Sequence, residues 1–262
     1  MTNPESEEKA VPELKPEDIK EPEEVKEIPK SKVDVSSWNP KTALGKKVKA
    51  GEITSIDQIL DNGLKIMEAE IVAMLVPELE SDLLLVGQSK GKFGGGQRRV
   101  FLQTQKKTAE GNKPKFGTFA IIGNRNGLVG VGYGKAKETV LSREKALRNA
   151  KLNIFKIRRG SGSWESDSFE PHSIPFKVMG RSGSVRVTLI PAPKGTGLCA
   201  EPEIAKILAL AGIKDIWTKS SGQTRTRPNF IKACESALRN LMITKVPADR
   251  IKELSITEGG SP

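Results

Sequence analysis

The chain has 262 residues, 36% of them hydrophobic, and carries a formal charge of +11. That length allows one large or two small domains, and the modest apolar fraction points to part of the chain being extended rather than packed. No apolar run approaches the roughly 20 residues of a membrane helix, the N-terminus is acidic rather than signal-like, and Cys199 and Cys234 are too few for a disulfide framework or a four-thiolate metal site.

A cytoplasmic address is therefore expected, with both cysteines as small core residues. Residues 1–35 are rich in Glu, Lys and Pro, and within residues 1–30 ten acids face five lysines, a net of −5. Such a composition buries too little surface to offset ordering entropy, so an extended, disordered acidic arm is expected there. Residues 36–80 read as a helical extension. Ile56, Ile59 and Leu60 fall at helical spacing, followed by Ile66 and then by Ile71, Val72, Met74 and Leu75, short amphipathic pieces that need something larger to pack on. KGKFGGGQ (residues 90–97) follows, and its successive Gly94, Gly95 and Gly96 argue against regular structure.

Strands are expected over residues 99–107, 116–123 and 128–134, with a turn at Lys113-Pro114-Lys115 and another at Asn124-Arg125-Asn126-Gly127. In the third strand Val129, Val131 and Tyr133 alternate with Gly130, Gly132 and Gly134, so one face is bare backbone. Either a packed helix or a nucleotide chain must come close there, because glycine otherwise weakens a strand. A helix is expected over 136–154. Its apolar face gathers Ala136, Val140, Ala146, Leu147, Ala150 and Ile154, and a basic ridge gathers Lys137, Lys145, Arg148 and Lys151. A solvated lysine ridge is common on helices, so this one points to RNA only beside the basic loops around it.

Residues 86–160 hold eighteen Lys and Arg against three acids, Glu110, Glu138 and Glu144, which is +15 in 75 residues. A lysine-rich surface that serves solubility alone has acids interspersed. An uncompensated field of this density repels itself unless a polyanion neutralises it, and nucleic acid releasing counterions is the commonest such partner.

After Arg158, Arg159 and the loop 160–172, a second unit begins. Val185, Val187 and Leu189 alternate with Arg186 and Thr188 as a strand, and the breaker PAPKGTG occupies 191–197. Ile204, Ile207, Leu208 and Ala211 mark a helix stopped by Gly212; Phe230, Cys234, Ala237, Leu238 and Leu241 mark another, with Pro228 near its start. Residues 219–227 between them read as a polar loop with three basic residues. The order is βββα followed by a small α/β domain, an α+β chain with boundaries at 1–35, 36–80, 81–157, 158–172 as a linker, 173–244 and a tail at 245–262.

Catalytic motifs fail on inspection. In GLVGVGYGK (127–135) a phosphate-binding loop needs glycine where Val129 stands and a hydroxyl where Ala136 stands, and the glycines alternate at a strand period rather than as G-x-G-x-x-G. His172, the one histidine, follows Pro171 with no cysteine nearby and reads as a structural hydrogen-bonding residue. No nucleophile elbow occurs, so the chain is read as no enzyme, with no cofactor and no metal.

The blocks QKKTAEGNKPKF (105–116), GNRNGLVGVGYGKAKE (123–138), AKLNI (150–154), RRGSGSWE (158–165), PHSIPFKV (171–178), GSVRVTLIPAPKGTGL (183–198), LAGIKDIWTK (210–219) and GQTRT (222–226) resemble the small-subunit ribosomal protein five family, archaeal and eukaryotic type, from about Trp38 to Leu241. The resemblance implies a βββα domain like those that bind double-stranded RNA, then an α/β domain. It implies a structural role in the body of the small subunit, on rRNA near the decoding region and on the side where mRNA enters. Ribosomal proteins three, four and eight are the implied neighbours, mRNA a candidate contact, and no membrane or homo-oligomer is expected. Together with the charge pattern, the candidate rRNA contacts are Lys90, Lys92, Arg98, Arg99, Lys106, Lys107, Lys113, Lys115, Arg125, Lys135, Lys137, Lys145, Arg148, Lys151, Arg158 and Arg159. By resemblance, the loop from Lys106 to Lys115 is tied to decoding fidelity, and the turn of Lys194, Gly195 and Gly197 to a contact with protein four. Where archaeal relatives often carry cysteines around Trp164 this chain has Ser161 and Ser166, so no zinc is expected. Two alternatives stay open: a free RNA chaperone with the same domains, and a small-molecule kinase sharing the second domain's fold.

Overall fold

The computed structural model describes residues 38–90, 96–166 and 169–259. The acidic arm expected over 1–35, together with Lys92, Gly94 and Gly95, lies outside the described residues.

Three short helices come first. Helix α1 (Ala43–Ala50) starts where the Thr42 hydroxyl accepts the Gly45 amide at 3.0 Å and ends on Gly51 at φ +82°, a left-handed cap that glycine adopts without penalty. Helices α2 (Ile56–Asp61) and α3 (Ala69–Leu75) coincide with the amphipathic pieces. All three bury aliphatic side chains, Val48, Ile56, Ile59, Ile71 and Val72, against Ile122, Leu128, Ala150 and Ile154 of the following unit.

That unit is a five-stranded sheet. Its strands are β1 (Glu80–Leu84), β2 (Phe101–Thr108), β3 (Gly111–Gly123), β4 (Leu128–Ala136) and β5 (Ile154–Lys156). β3 is the spine: residues 111–118 pair with β2, residues 119–123 with β1, and residues 116–123 with β4 on the other edge, all antiparallel. Helix α4 (Thr139–Leu152) lies across the sheet. It starts three residues later than the periodicity predicts, because Ala136 ends β4 opposite Phe116, and it stops before Ile154, which opens β5. Lys137 consequently precedes the helix. The close neighbour required by the glycine face is this helix: a Cβ on Gly130, Gly132 or Gly134 would run into the backbone of Ala150, Ala146 and Ser142. So close an approach admits only small side chains, and Ser142, Ala146 and Ala150 are the buried residues of α4. Val140, expected in the core, is 58% exposed because the buried arc is centred on those small residues and not on the bulkiest ones.

β6 (Arg158–Arg159) leads into the second sheet, made of β7 (Val178–Ser182), β8 (Val185–Pro191), β9 (Leu198–Cys199) and β10 (Ile216–Ser221) in the order β7-β8-β10-β9. Helices α5 (Pro202–Leu210) and α6 (Arg227–Ile243) complete the unit, and Glu201 caps α5 by accepting the amides of Glu203 and Ile204. Two expectations are corrected here. Lys219, Ser220 and Ser221 belong to β10, paired with Thr188, Val187 and Arg186, and are not loop: the outer end of the strand is exposed on both faces and tolerates a polar run. Cys199 is exposed on the short β9, whereas Cys234 is fully buried in α6 and burial pushes its thiol pKa up to about 12. Helix α7 (Ala248–Glu253) and β11 (Thr257–Glu258) follow, β11 pairing with β6. Phe119, Ile121, Val129 and Val131 of the first sheet share one apolar core with Val187, Leu189, Ile207 and Leu238 of the second unit. No helix among the described residues is long and apolar enough to cross a membrane.

Candidate nucleic-acid interface

The pairing of β4 with β3 ends at Phe116, and β1 reaches only Phe119, so beyond that point β2 and β3 have only each other. They continue as a two-stranded ribbon in which residues 103–115 are exposed apart from half-buried Thr108. At its turn the Thr108 hydroxyl donates to the Gly111 carbonyl at 2.7 Å, with Gly111 at φ +110°. Lys106 lies directly opposite Lys113, Lys115 opposite Thr104 and Lys107 opposite Asn112. Facing residues of an antiparallel pair share a side, so Lys106, Lys113 and Lys115 project together and Lys107 projects the other way. Lys135 of β4 joins the first group, because its partner Gly117 is two residues on from Lys115. One acid intervenes: Glu110 pairs with Lys113 at 2.6 Å, both ends exposed.

Lys137, Lys145 and Arg148 are exposed on the strand-to-helix connection and on the solvent side of α4, with Lys151 half-buried; Arg143, which charge patterning did not single out, is exposed on the same helix. Lys90 and Arg99 are exposed, while Arg98 is half-buried and donates to the Gly87 carbonyl at 3.5 Å.

Three other basic residues are engaged by the protein itself, Arg125 at the surface and Arg158 and Arg159 half-buried. Arg125 takes a left-handed conformation (φ +54°) in the β3–β4 turn, donates its amide to the Leu210 carbonyl at 2.9 Å, and reaches Glu80 through Nη2 at 2.7 Å. Arg158 donates to Glu258 and to the Thr244 carbonyl, both at 2.6 Å. Arg159 binds the Asn126 side chain, and burial pulls its guanidinium below the ordinary pKa. Their charge is directed to tying segments of the protein together.

The turn around Lys194 is built from below. Asp215 is buried, and its Oδ1 accepts the amides of Gly195 at 3.1 Å and Gly197 at 2.8 Å, while Oδ2 lies 3.0 Å from His172 Nδ1. Gly195 and Gly197 sit at φ +92° and +74°, conformations open to glycine. Lys194 itself pairs with Glu170 at 2.8 Å, which holds the Glu170 carboxyl below its usual pKa. On its other side His172 Nε2 is 3.3 Å from Ser166 Oγ and 3.5 Å from Ser161 Oγ. Hydroxyls are poor metal donors beside thiolate, and among the described residues no group of three or more His, Cys, Asp or Glu converges on a point.

Comparison with known proteins yields two family matches: Ribosomal protein S5, N-terminal domain, over residues 100–158, and Ribosomal protein S5, C-terminal domain, over residues 180–249. The chain is 48% identical to the small ribosomal subunit protein uS5 of Nanoarchaeum equitans over 227 residues, covering 87% of this chain and 97% of that relative. Its counterpart from Staphylothermus marinus is 46% identical over 228 residues, 86% of this chain and 100% of the relative. That from Methanocaldococcus jannaschii is 44% identical over 226 residues, 86% and 97% respectively.

Proposed function

The chain belongs to the ribosomal protein S5 family, and from that premise we propose that its basic ribbon and the solvent side of α4 bind small-subunit rRNA. The family is one of structural constituents of the small ribosomal subunit, not of enzymes. The observation that carries the proposal is Lys106 standing directly opposite Lys113 in a ribbon with no covered face. Like charges facing across an antiparallel pair destabilise it, and a phosphate backbone is the partner that reverses the sign of that cost.

The element order β2-β3-β4-α4 supports the finer reading of a domain similar to those that bind double-stranded RNA. Such domains read A-form shape, phosphate and 2′-hydroxyl and not sequence. By family resemblance the rRNA lies near the decoding region, on the side where mRNA enters, and the ribbon contributes to translational accuracy. Proteins three, four and eight are the proposed neighbours, with the turn of Lys194, Gly195 and Gly197 facing protein four.

Salt-dependent binding of the full chain to a duplex RNA of about 16 base pairs tests the proposal. Lys106→Ala, Lys113→Ala and Lys137→Ala are each expected to weaken binding similarly for unrelated sequences and to lower the salt slope by about one. An unchanged slope in all three removes these residues from the interface. In a sucrose gradient the protein is expected with small subunits at near-equal molar amounts; substoichiometric, salt-labile association points instead to an assembly factor.

A further inference from the structure

We propose that the open face of the second sheet is a separate RNA-binding surface, one that takes an unpaired strand. It rests on RNA being the partner, as in the reading above, but uses none of the ribbon's residues.

One face of the β7-β8-β10-β9 sheet is closed. Helix α6 lies so near that a Cβ on Gly180 would meet the backbone of Ala233 and Ala237, and Val178, Val185, Val187, Leu189 and Ile216 point into the core. The opposite face carries three cross-strand rows. Arg181, Arg186 and Ser221 form the first; Met179, Thr188 and Lys219 the second; Ile190, Trp217 and Cys199 the third. Met179 is 54% exposed, and Arg181, Arg186, Lys219 and Cys199 are all exposed. None of the four strands contains an acidic residue. Arg181 donates to the Gly183 carbonyl at 2.9 Å, but no ion pair with an acid involves Arg181, Arg186 or Lys219 among the described residues.

Arg181 directly opposite Arg186 is a self-repelling arrangement of the same kind as Lys106 opposite Lys113. It calls for an anion. Guanidinium forks suit phosphate in paired hydrogen bonds, and the half-buried Trp217 indole next to Ile190 offers a flat apolar surface two rows away. Phosphate-binding forks beside an aromatic on an open sheet match a single strand, whose base faces are free to stack. An A-form duplex hides those faces. A protein partner needs a patch whose centre is depleted of charge, and here the cations stand in two of the three rows.

The test compares the full chain on two RNAs: a blunt duplex of about 16 base pairs, and the same duplex with a single-stranded extension of about eight nucleotides. The extension is expected to tighten binding by the unsubstituted protein about tenfold. R181Q/R186Q, and separately Trp217→Leu, should abolish that gain and leave blunt-duplex affinity within about twofold, while K106A/K113A weakens both RNAs and keeps the gain. The thermal midpoint of R181Q/R186Q should equal or exceed that of the parent, since a repulsion has been removed. If the extension adds nothing, or R181Q/R186Q retains the gain, the face carries no strand and the proposal is overturned with the ribbon reading intact. A variant that retains the gain yet no longer joins small subunits identifies a protein contact and overturns it equally. Binding of the extended RNA without the blunt one sustains this proposal and sinks the ribbon reading; binding of neither sinks both.

Discussion

Within the single strand β3, residues 111–115 and residues 117–123 occupy opposite environments. The later half is buried throughout, with strands on both edges, α4 over one face and the core shared with the second unit over the other. The earlier half has β2 on one edge and nothing over either face. Lysines begin where packing ends: Lys113 and Lys115 lie on one side of that boundary, Phe119, Ile121 and Ile122 on the other. One strand thus anchors the fold and extends it as a charged arm, and substitutions in the two halves should report on different properties.

The largest effect is expected at the buried half's contact with α4. Gly132→Val drives a branched side chain into the helix backbone at Ala146 and Ala150, which no rotamer relieves. Overpacking against backbone is expected to cost about 3 kcal/mol or more, read as a fall in the urea midpoint. Gly111→Ala, at the ribbon turn with nothing within 4 Å of its would-be Cβ, meets only the strain of φ +110° and should cost about 1 kcal/mol. Similar losses for the two would remove the contrast between the halves.

Next in size is Asp215→Ala in the second unit. It strips the half-exposed Gly195 and Gly197 amides of their acceptor and leaves the buried His172 without its carboxylate, for about 2 kcal/mol. Limited proteolysis at the Lys194 turn should rise, whereas duplex-RNA binding through the ribbon should not change.

How far the sequence foretold this arrangement depends on which physical signal each part carries. β4 was legible because Val and Tyr alternate with glycine, and the bare glycine face correctly demanded a close neighbour; β3 was legible only from Phe116 on, since Lys113-Pro114-Lys115 reads as a turn yet lies within the strand, paired with β2. Which neighbour came was not legible. A helical wheel favours bulky apolar residues, so it put Val140 inward, when the true selection was for side chains small enough to sit on glycine. β1 was missed because ESDLL has no alternation, and β10 because its outer half, Lys219 to Ser221, is exposed and polar on both faces. Charge density located the ribbon, since its lysines cluster in sequence. It also gathered in Arg158, whose partner Glu258 is a hundred residues away, and it said nothing about Arg181 and Arg186, which only strand pairing brings face to face.

A smaller effect comes from Glu68, whose carboxylate accepts the amides of Thr42 at 2.7 Å and Lys41 at 2.9 Å ahead of α1. Burial pushes its pKa up, but those amides, with the Thr42 and Trp38 side chains, outweigh it and leave the carboxyl below its ordinary value. A folded pKa below the unfolded one means stability that is present above the unfolded value and lost as pH falls through the folded value. Glu68→Gln should cost about 1 kcal/mol at neutral pH, and the difference from the parent should shrink on acidification below the usual carboxylate range. A difference that persists in acid would assign the effect to shape and not to charge.

The smallest effect belongs to Glu110, the one acid in the ribbon, and it is the sharpest test of the two-halves picture. Its pair with Lys113 at 2.6 Å leaves the two side chains 77% and 59% exposed, and such surface pairs contribute about 0–1 kcal/mol. Glu110→Gln should therefore move the urea midpoint by less than about 0.5 kcal/mol equivalent. RNA binding should respond in the opposite sense. Removing the carboxylate frees Lys113 beside Lys106, so duplex affinity at low salt should rise, and the gain should fade as ionic strength approaches the regime where the Debye length is about 8 Å. A stability loss above about 1 kcal/mol would mean the ribbon is held by the fold after all, and the boundary at Phe116 would lose its meaning.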